Sequence, residues 1–497
     1  MAVAMPSVSS AAGCALWLFR ALAAASSIGV LAFLYANLDR GFDLTDEAYY
    51  LLWIDHPDTY DIAASMFGFV LSPVYHLLGD DPAALRRFGL ILPALAAAAM
   101  CWTAVRSSAR NKLSPVDGAI MLIAAAAAVV ARYQWWVPTP SYNWLPLPAA
   151  FLLLIGLLLL QCNKAPLGSA LLVGLSGALA FSGKPTTGVG FALVYLFGAM
   201  TVAGFSAKML RHVVLSGLAC MALIVLAALT LVDPWLALRQ ARAYVDFFGV
   251  APATGNFFRE LVAPLGYYAA VLAALAAYRM RPPAARLAGL AAILAMLVVA
   301  YDLRSLNAAQ SQGMLVMTAS LAVVANCLAW SPARPHWRSL LVPLLAQVMP
   351  WVIAFGTTNS LIVQTGNYGT LPLAGTVAIA YLCFGPRDWR AIGATLLAPV
   401  FAVLALYSAE IAPYRLASRL SAQIHPVAIG GGTLRVDART RDFIKALRQQ
   451  AADAGFELGT PVLDFSGDTP GVAFLLGGQP PAFPWLVGGY AFSERFA

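Results

Sequence analysis

Residues 14–50 of the chain read CALWLFRALAAASSIGVLAFLYANLDRGFDLTDEAYY. The first part, 14–36, is a continuous apolar run that is long enough to cross a bilayer as a helix. It has no convincing signal-peptide cleavage site, so we interpret it as a signal anchor that stays in the mature protein. The part that follows is polar and acidic, which predicts a loop that leaves the membrane directly after the first span.

The rest of the 497-residue chain resembles its first span in composition. Of all residues 61% are apolar and only 11% are charged, against roughly 25% in ordinary soluble domains. This excludes a soluble enzyme, a disordered protein and a fibrous protein, and no basic cluster indicates a nucleic-acid binder. The apolar runs predict an all-α polytopic membrane protein of about thirteen transmembrane helices, centred in 14–36, 88–105, 116–132, 145–161, 167–182, 188–204, 213–232, 261–278, 287–301, 313–330, 340–356, 371–384 and 392–411.

The distribution of Lys and Arg predicts the orientation of these spans. The even-numbered connections hold more Lys and Arg than the odd-numbered ones, although they are much shorter in total. By the positive-inside rule this places the N-terminus in the cytoplasm, and an odd number of spans then places the C-terminus outside. Arg far outnumbers Lys, as is typical of a GC-rich bacterium. We therefore expect a multi-pass protein of a bacterial inner membrane with a periplasmic C-terminus.

Two regions outside the predicted spans are large enough to hold structure of their own. The first loop, 37–87, contains nine of the 23 acidic residues, and its stretches 44–54 and 62–78 predict helices that lie in the outer membrane interface. The tail, 412–497, is rich in Gly, Pro, Asp and Arg, and no span fits in it. We predict a transmembrane module over 1–411 and a small periplasmic α/β domain over 412–497.

The predicted tail domain is inferred from a change of pattern. A strand-like segment over 434–437 precedes a helical stretch over 438–454, and a second strand-like segment follows at 461–465. This alternation is typical of a small α/β unit.

Acidic and aromatic side chains share one helical face at the start of the first loop. Asp43, Asp46, Glu47 and Tyr50 follow the i, i+3, i+4, i+7 spacing of a helix. One interpretation is structural: Asp43 caps a helix, and Asp46 and Glu47 occupy its first turn, where the helix dipole favours acids. The other is that these carboxylates form a reaction site. Both roles are compatible in one segment.

The segment Gly41–Tyr50 resembles the first outer loop of the GT-C class of membrane glycosyltransferases, and within it the protein mannosyltransferase and aminoarabinose transferase group. That group carries an Asp-Glu pair followed by an aromatic residue at the same place relative to the first span. The apolar stretch Phe69–Leu78, the following Leu85–Arg87 and the segment Ser182–Pro185 also match. The resemblance covers roughly the first 200 residues, and the tail does not share it.

The resemblance implies a GT-C-like fold and a glycosyltransferase of class EC 2.4 in the cell envelope. Its substrates would be a polyprenyl-phosphate-linked sugar and an acceptor hydroxyl or amine on a lipid, glycan or protein. Asp46 corresponds to the catalytic acid of the family's pair, so the resemblance makes Asp46 the first choice as base and Glu47 the second. Members of the group are generally metal-independent, which implies no cofactor.

The chemistry of such a transfer fits these residue types. Phosphate is a good leaving group, so no general acid is needed, but one carboxylate must take the proton of the acceptor. A cation must hold the phosphate as its charge grows. The chain has neither a nucleophile elbow nor a Gly-rich nucleotide loop, so the donor must already be lipid-linked. The sequence excludes neither hydroxyl nor amine acceptors and does not identify the sugar.

Two cations are candidates for binding the donor phosphate. Lys184 is the one Lys in the predicted outer loops, at the end of a span, and Arg304 faces the same predicted interface. The alternative for Lys184 is a side chain that snorkels from a helix end to the membrane surface.

Polar and aromatic side chains elsewhere offer a sugar pocket. Tyr142 and Asn143 follow the aromatic stretch 133–136 and, with Asp43 and Tyr50, are candidates to line it. An interfacial aromatic belt is the competing interpretation. The run 55–61 contains three Asp and one His, which suits Mg²⁺ or Mn²⁺, but a solvated acidic loop is favoured and no metal ligand is assigned.

Two further functions compete with a glycosyltransferase. A transporter or flippase of lipid-linked sugars usually has charged or broken-helix residues at the bilayer midplane and repeat symmetry, and neither pattern is evident. An inactive relative with a binding role differs from the enzyme only in activity.

Overall fold

The computed structural model describes residues 8–63, 65–108, 113–248, 308–332, 335–355, 361–465 and 469–481, together with the single residues 269 and 276. These residues are mostly helical, with one two-stranded sheet. The helices are Val8–Asn37, Asp46–Asp55, Phe67–Leu77, Pro82–Ser107, Pro115–Ala127, Pro146–Gln161, Pro166–Gly183, Pro185–Ala203, Ala207–Thr230, Pro234–Phe248, Ala308–Trp330, Trp337–Ala354, Leu361–Asn367, Thr370–Phe384, Trp389–Thr395, Leu397–Ile411, Ala438–Asp453 and Gly471–Leu476, with 3-10 segments at Ala128–Trp135 and Leu420–Ala422.

Within the described ranges, nine helices are long and apolar enough to cross a membrane: Gly13–Asn37, Pro82–Ser107, Pro115–Trp135, Pro166–Gly183, Pro185–Ala203, Ala207–Thr230, Gly313–Trp330, Trp337–Ala354 and Trp389–Ile411. Two further predicted spans correspond to the shorter apolar helices Pro146–Gln161 and Thr370–Phe384. The spans predicted at 261–278 and 287–301 lie outside the described residues. The polytopic helical fold is confirmed, and the count of thirteen stays a prediction.

Proline sets the start of several spans. Pro82 and Pro115 occupy the first helical turn, where a missing backbone N–H costs nothing, and Asp81 and Ser114 cap these two helices with their side chains. Pro185 likewise begins its helix and forces the preceding residue, Lys184, into extended backbone at φ −148° and ψ 117°. Lys184 therefore stands in the break between two antiparallel spans, at the end of the bundle that carries the first loop.

The described residues form two main apolar cores. The larger is formed by the membrane helices and includes buried residues such as Leu154, Met349 and Tyr381. The second lies beyond the helix ends and combines side chains of the first loop with side chains of the tail. Trp53 and Phe42 of the loop and Leu434 of the tail all belong to it. The first loop and the tail therefore pack on one shared core.

The first loop contains the two helices that the sequence predicts there. Helix Asp46–Asp55 matches the stretch 44–54, and helix Phe67–Leu77, with Pro73 inside it, matches 62–78. The first of them is almost fully enclosed, since every residue from Leu51 to Ile54 is at most 2% exposed. Its apolar side chains thus pack against protein. This packing by itself explains the hydrophobicity of the helix, without contact with lipid.

The tail folds back onto the first loop through backbone hydrogen bonds. Strands β1 (His425–Ile429) and β2 (Gly432–Val436) form an antiparallel hairpin, and helix Ala438–Asp453 follows as predicted. The Arg435 amide donates to the Asp39 carbonyl at 2.7 Å, and the Arg435 carbonyl accepts from Gly41 at 2.8 Å. The strand-like segment 461–465 forms only an isolated bridge, from Pro461 to Gln479.

Candidate active site at the first loop

Asp43 organises the start of the loop helix. Its carboxylate accepts hydrogen bonds from the amide and hydroxyl of Thr45, at 2.9 and 2.7 Å, and from the amide of Glu47 at 3.3 Å. Thr45 and not Asp43 occupies the N-cap position, and Asp43, two residues before it, accepts a hydrogen bond from the first helical turn. Burial raises the pKa of Asp43 to about 6, although the Thr45 hydrogen bonds oppose that rise. Asp43 therefore supports the site from beneath its first helical turn.

Glu47 is held in a buried ion pair with Arg86. The Arg86 guanidinium donates Nε to Oε1 at 2.9 Å and Nη2 to Oε2 at 2.7 Å, and both side chains are at most 2% exposed. The Thr139 hydroxyl also donates to Oε1. The remaining Arg86 donors reach the carbonyls of Leu38, Arg40 and Gly41. This bidentate pair ties the helix to the chain that enters it and leaves Glu47 no oxygen without a partner.

Asp46 has a different environment from its neighbour. It is the first residue of its helix and is only partly buried. Tyr50, Tyr142 and, from the tail, Tyr414 lie close enough to sense its charge. Of the predicted pair, Asp46 is thus the carboxylate that solvent and a substrate can reach.

An aromatic wall adjoins Asp46. The Tyr50 and Tyr142 rings meet edge to face with centroids 5.9 Å apart, and each also contacts Phe67 at 5.9 to 6.0 Å. Burial raises the pKa of both tyrosines, so both hydroxyls stay protonated and can donate. The wall offers ring faces and hydroxyl groups, the combination that binds sugars through stacking and hydrogen bonds.

Lys184 also lies beside Tyr142. Its Nζ is 5.4 Å from the centroid of the Tyr142 ring, and it is buried without a hydrogen-bond partner. Loss of solvent, and next the charge of Arg132, lower the pKa of Lys184 to about 7. Snorkelling predicts an ammonium that reaches water, whereas this side chain is 8% exposed. A buried, unsatisfied ammonium is costly unless an anion joins it.

Arg132 is a cation of the site that the sequence reasoning did not single out. Its Nη1 donates to the Asn143 carbonyl at 3.3 Å, and the Tyr368 hydroxyl donates to the same carbonyl at 2.8 Å. Arg132 lies near the end of an apolar span, in the 3-10 segment Ala128–Trp135. An ionisable residue inside an apolar run is by itself a sign of function, and this signal was present in the sequence.

Most of the candidate site residues predicted from the sequence lie close together in the structure. Tyr142 lies near both Asp46 and Lys184, Tyr50 completes the wall, and Asn143 contributes its backbone carbonyl. Arg304 lies outside the described residues, so its role as a phosphate ligand stays a prediction. The site thus combines a reachable carboxylate, aromatic hydroxyls and two neighbouring cations.

A possible metal-binding group lies elsewhere in the first loop. Among the described residues, Asp55, His76 and Asp80 place one ligand atom each within 4.8 Å of one another. The group shares only Asp55 with the acidic run 55–61. Asp55 ends the helix that Asp46 begins, about 13 Å away along its axis. These side chains are therefore separate from the carboxylate and cations of the site.

The comparison with known proteins adds no assignment to this geometry. No family model, no curated protein and no solved structure matches the chain.

Proposed function

We propose that the protein is an inverting glycosyltransferase that takes a sugar from a polyprenyl-phosphate donor and transfers it to an acceptor hydroxyl or amine. One observation carries the proposal: a reachable carboxylate, Asp46, and a buried ammonium without a partner, Lys184, flank the same tyrosine, Tyr142. The first loop's resemblance to GT-C enzymes supports the same assignment, with the reaction on the periplasmic face of a bacterial inner membrane.

The reaction needs one base and one phosphate site. The acceptor oxygen or nitrogen attacks the anomeric carbon, and Asp46 takes its proton as the new bond forms. The bond from that carbon to the phosphate oxygen breaks on the opposite face, which inverts the anomeric configuration. The electron pair stays on the phosphate, whose charge grows from one to two. Lys184 and Arg132 would stabilise this growing charge.

The geometry favours different roles for the two acids of the pair. Both Glu47 oxygens accept from Arg86, so protonation of Glu47 would break a buried ion pair. We therefore assign Glu47 to positioning, since it fixes the first turn of the helix that carries Asp46. This assignment revises the choice of Glu47 as the substitute base.

Transfer of radiolabelled sugar tests the proposal. Purified protein in detergent is offered a panel of polyprenyl-phosphate sugars together with envelope lipids and glycans of a deletion strain as acceptors. We expect product with wild type and a loss of about 10²- to 10⁴-fold for Asp46→Asn, the usual cost of removing a general base. Asp58→Asn, at an exposed site of the same loop, is the matched control and should retain full activity.

A transporter of lipid-linked sugars is the alternative. Reconstituted vesicles separate the two functions, because a flippase moves the donor across the bilayer without cleaving it. Movement of intact donor, with no sugar transfer to any acceptor and no effect of Asp46→Asn, would contradict the glycosyltransferase proposal.

A further inference from the structure

The tail carries a groove of its own, between strand β1 and helix Ala438–Asp453. Its volume is about 370 Å³, which lies in the range of small-molecule sites. Among the described residues that line it, Arg441, Lys445 and Arg448 are cationic and none is acidic. A groove of this size and charge suits one small ligand that carries negative charge.

The three cations share one face of the helix because of their spacing. Arg441, Lys445 and Arg448 stand at i, i+4 and i+7, the positions that lie together along a helix. Like charges four residues apart on a helix repel each other and lower its stability. An anion in the groove would offset this repulsion, so the spacing itself favours a bound anion.

Two of the cations are available to a ligand. Arg448 is held in place, because its Nη2 donates to the Ala428 carbonyl at 2.9 Å and its Nε donates to the Leu475 carbonyl at 3.3 Å. Its Nη1 has no partner among the described residues. Lys445 is exposed and likewise has no described partner. The groove thus combines a pre-oriented guanidinium with an unpaired ammonium.

Arg441 contributes less charge, since it already has partners. Its Nη2 lies 2.8 Å from Oδ1 of Asp442, and its Nη1 lies 3.2 Å from Nδ1 of His425. Asp442 does not line the groove, so this pair is closed beside the groove and not across it. The net positive charge of the groove therefore comes from Lys445 and Arg448.

The rest of the lining is largely apolar. Pro426 and Val427 of strand β1 and Ile444 of the helix form this part, and Ile444 is only 1% exposed. Such a surface can contact the C–H faces of a sugar ring, whereas a bare inorganic ion gains nothing from it. Arg binds phosphate and carboxylate alike through parallel N–H donors. The lining therefore fits a sugar unit that bears a phosphate or a carboxylate.

One short helix connects the groove to the first loop. The Leu475 carbonyl that Arg448 holds belongs to the six-residue helix that begins at Gly471. The Gly471 amide donates to the Leu44 carbonyl at 2.8 Å, two residues before Asp46. A helix of this length spans about 9 Å. The groove and the carboxylate of the candidate site are therefore linked through opposite ends of one small element.

We infer that this groove binds a sugar unit bearing a phosphate or a carboxylate, and that this unit is part of the acceptor. The second half of the inference rests on the proposed function. The donor phosphate is assigned to Lys184 at the end of a span, which leaves the groove in the tail for the other substrate. The acceptor would then be an anionic glycan or glycolipid that extends from the groove to Asp46.

Direct binding tests the groove without any reaction. The full-length protein in detergent is titrated with glucose 1-phosphate and with glucuronate, and with neutral glucose and inorganic phosphate for comparison. We expect saturable binding of the two anionic sugars, at least tenfold tighter than that of glucose or of inorganic phosphate. Lys445→Gln should weaken it about tenfold, the usual cost of losing one charge-assisted hydrogen bond.

Two further variants serve as controls. Arg439→Gln removes the same charge from an exposed position of the same helix that does not line the groove, and should bind like wild type. Lys184→Met removes the cation assigned to the donor and should leave binding of both sugars within twofold. Equal loss in Lys445→Gln and Arg439→Gln would overturn the inference, and melting temperatures verify that all variants are folded.

The comparison ligands exclude other anions as the occupant. Inorganic phosphate that binds as tightly as glucose 1-phosphate would overturn the inference, because the apolar lining would then contribute nothing. Nanodiscs with and without phosphatidylglycerol supply the anionic lipid surface. If Lys445→Gln changes the response to this lipid but not the affinity for the anionic sugars, the groove binds headgroups and the inference fails.

Transfer kinetics test the link to the acceptor. With acidic acceptors, Lys445→Gln should raise KM for the acceptor about tenfold and leave kcat within twofold of wild type, while neutral acceptors show no change. An unchanged KM for acidic acceptors would overturn the role in acceptor binding and leave the glycosyltransferase proposal standing. Binding of anionic sugars that depends on Lys445, in a protein that transfers no sugar, would refute the proposed function and leave the binding site.

Discussion

Lys184 is the residue whose energetics depend most on a bound anion. Its ammonium is buried, lacks a hydrogen-bond partner and has Arg132 as a neighbouring cation. A group in this state destabilises the empty protein and gains when a phosphate arrives. Replacing Lys184 by an uncharged residue should therefore lower the affinity for a phosphate and raise the stability of the empty protein.

We predict that Lys184→Met stabilises the empty protein but weakens its binding of undecaprenyl phosphate more than tenfold. Lys184→Arg should retain part of the affinity, because Arg keeps the charge with a different donor geometry. Melting in detergent and titration with undecaprenyl phosphate measure the two effects. Unchanged affinity in Lys184→Met would mean that other cations bind the phosphate. Lys164→Met is the control for loss of a charge, since Lys164 lies in a predicted cytoplasmic connection.

The pH dependence of that stability has a definite sign. Folding lowers the pKa of Lys184 from 10.5 to about 7, so between these values the unfolded chain holds a proton that the folded chain has lost. The contribution of Lys184 to the free energy of unfolding therefore rises with pH from about 7 to 10.5. We predict that the stability gained by Lys184→Met is largest at pH 6 and shrinks by pH 9. A gain that grows with pH would contradict this account.

Substitution of Glu47 should mainly lower stability, whereas substitution of Asp46 should mainly lower activity. Glu47→Gln leaves Arg86 buried with a weakened partner, and breaking a buried pair typically costs about 3–5 kcal/mol. We predict a clear drop in melting temperature for Glu47→Gln and little change for the inactive Asp46→Asn. A Glu47→Gln protein as stable as wild type but fully inactive would instead make Glu47 the base.

At the scale of elements, the contact between the tail hairpin and the first loop depends on a glycine. A Cβ at Gly431 would clash with the Gly79 carbonyl oxygen. The Gly431 amide also donates to the Asp80 carbonyl at 2.7 Å. The turn of the hairpin can therefore approach the loop only without a side chain.

We predict that Gly431→Ala loosens the tail, lowers the melting temperature and reduces transfer activity, since the tail shares its core with the loop that carries Asp46. Limited proteolysis should then cut the tail faster than in wild type. Gly393→Ala is the matched control, because a Cβ there meets no atom within 4 Å in a helix. Equal proteolysis of both variants would show that this contact does not hold the tail.

The sequence predicts elements well and their contacts poorly. The helices Asp46–Asp55 and Ala438–Asp453 follow from periodicity and capping residues, which are local properties. The pairing of Arg435 with Asp39 and the hydrogen bond from the Gly471 amide to the Leu44 carbonyl join segments from opposite ends of the chain. Local pattern carries no information on such pairs, so the tail appeared in the sequence only as a separate appendage.

The candidate site shows the same difference between features that local sequence predicts and features that depend on the fold. Asp46, Tyr50, Tyr142 and Lys184 were identifiable because acids, aromatics and a rare Lys stand out beside apolar spans. The different roles of Asp46 and Glu47 were not, because they depend on Arg86, which reaches Glu47 from another helix. Burial and partners, which only the fold determines, decide which of two adjacent carboxylates is available for chemistry.

At the scale of the whole molecule, the fold shows which extramembrane regions lie on the same side of the membrane, whichever side that is. The first loop and the tail share one core, so they must lie on the same side of the membrane.

Reporter fusions at the exposed Asp58 and at the C-terminus should therefore report the same side of the membrane. The excess of Lys and Arg in the other connections predicts that both sites are periplasmic. Alkaline phosphatase should then be active and green fluorescent protein dark at both. Agreement with the opposite sign would reverse the orientation and move the proposed reaction to the cytoplasmic face. Disagreement between the two sites would contradict the packing of the tail on the loop.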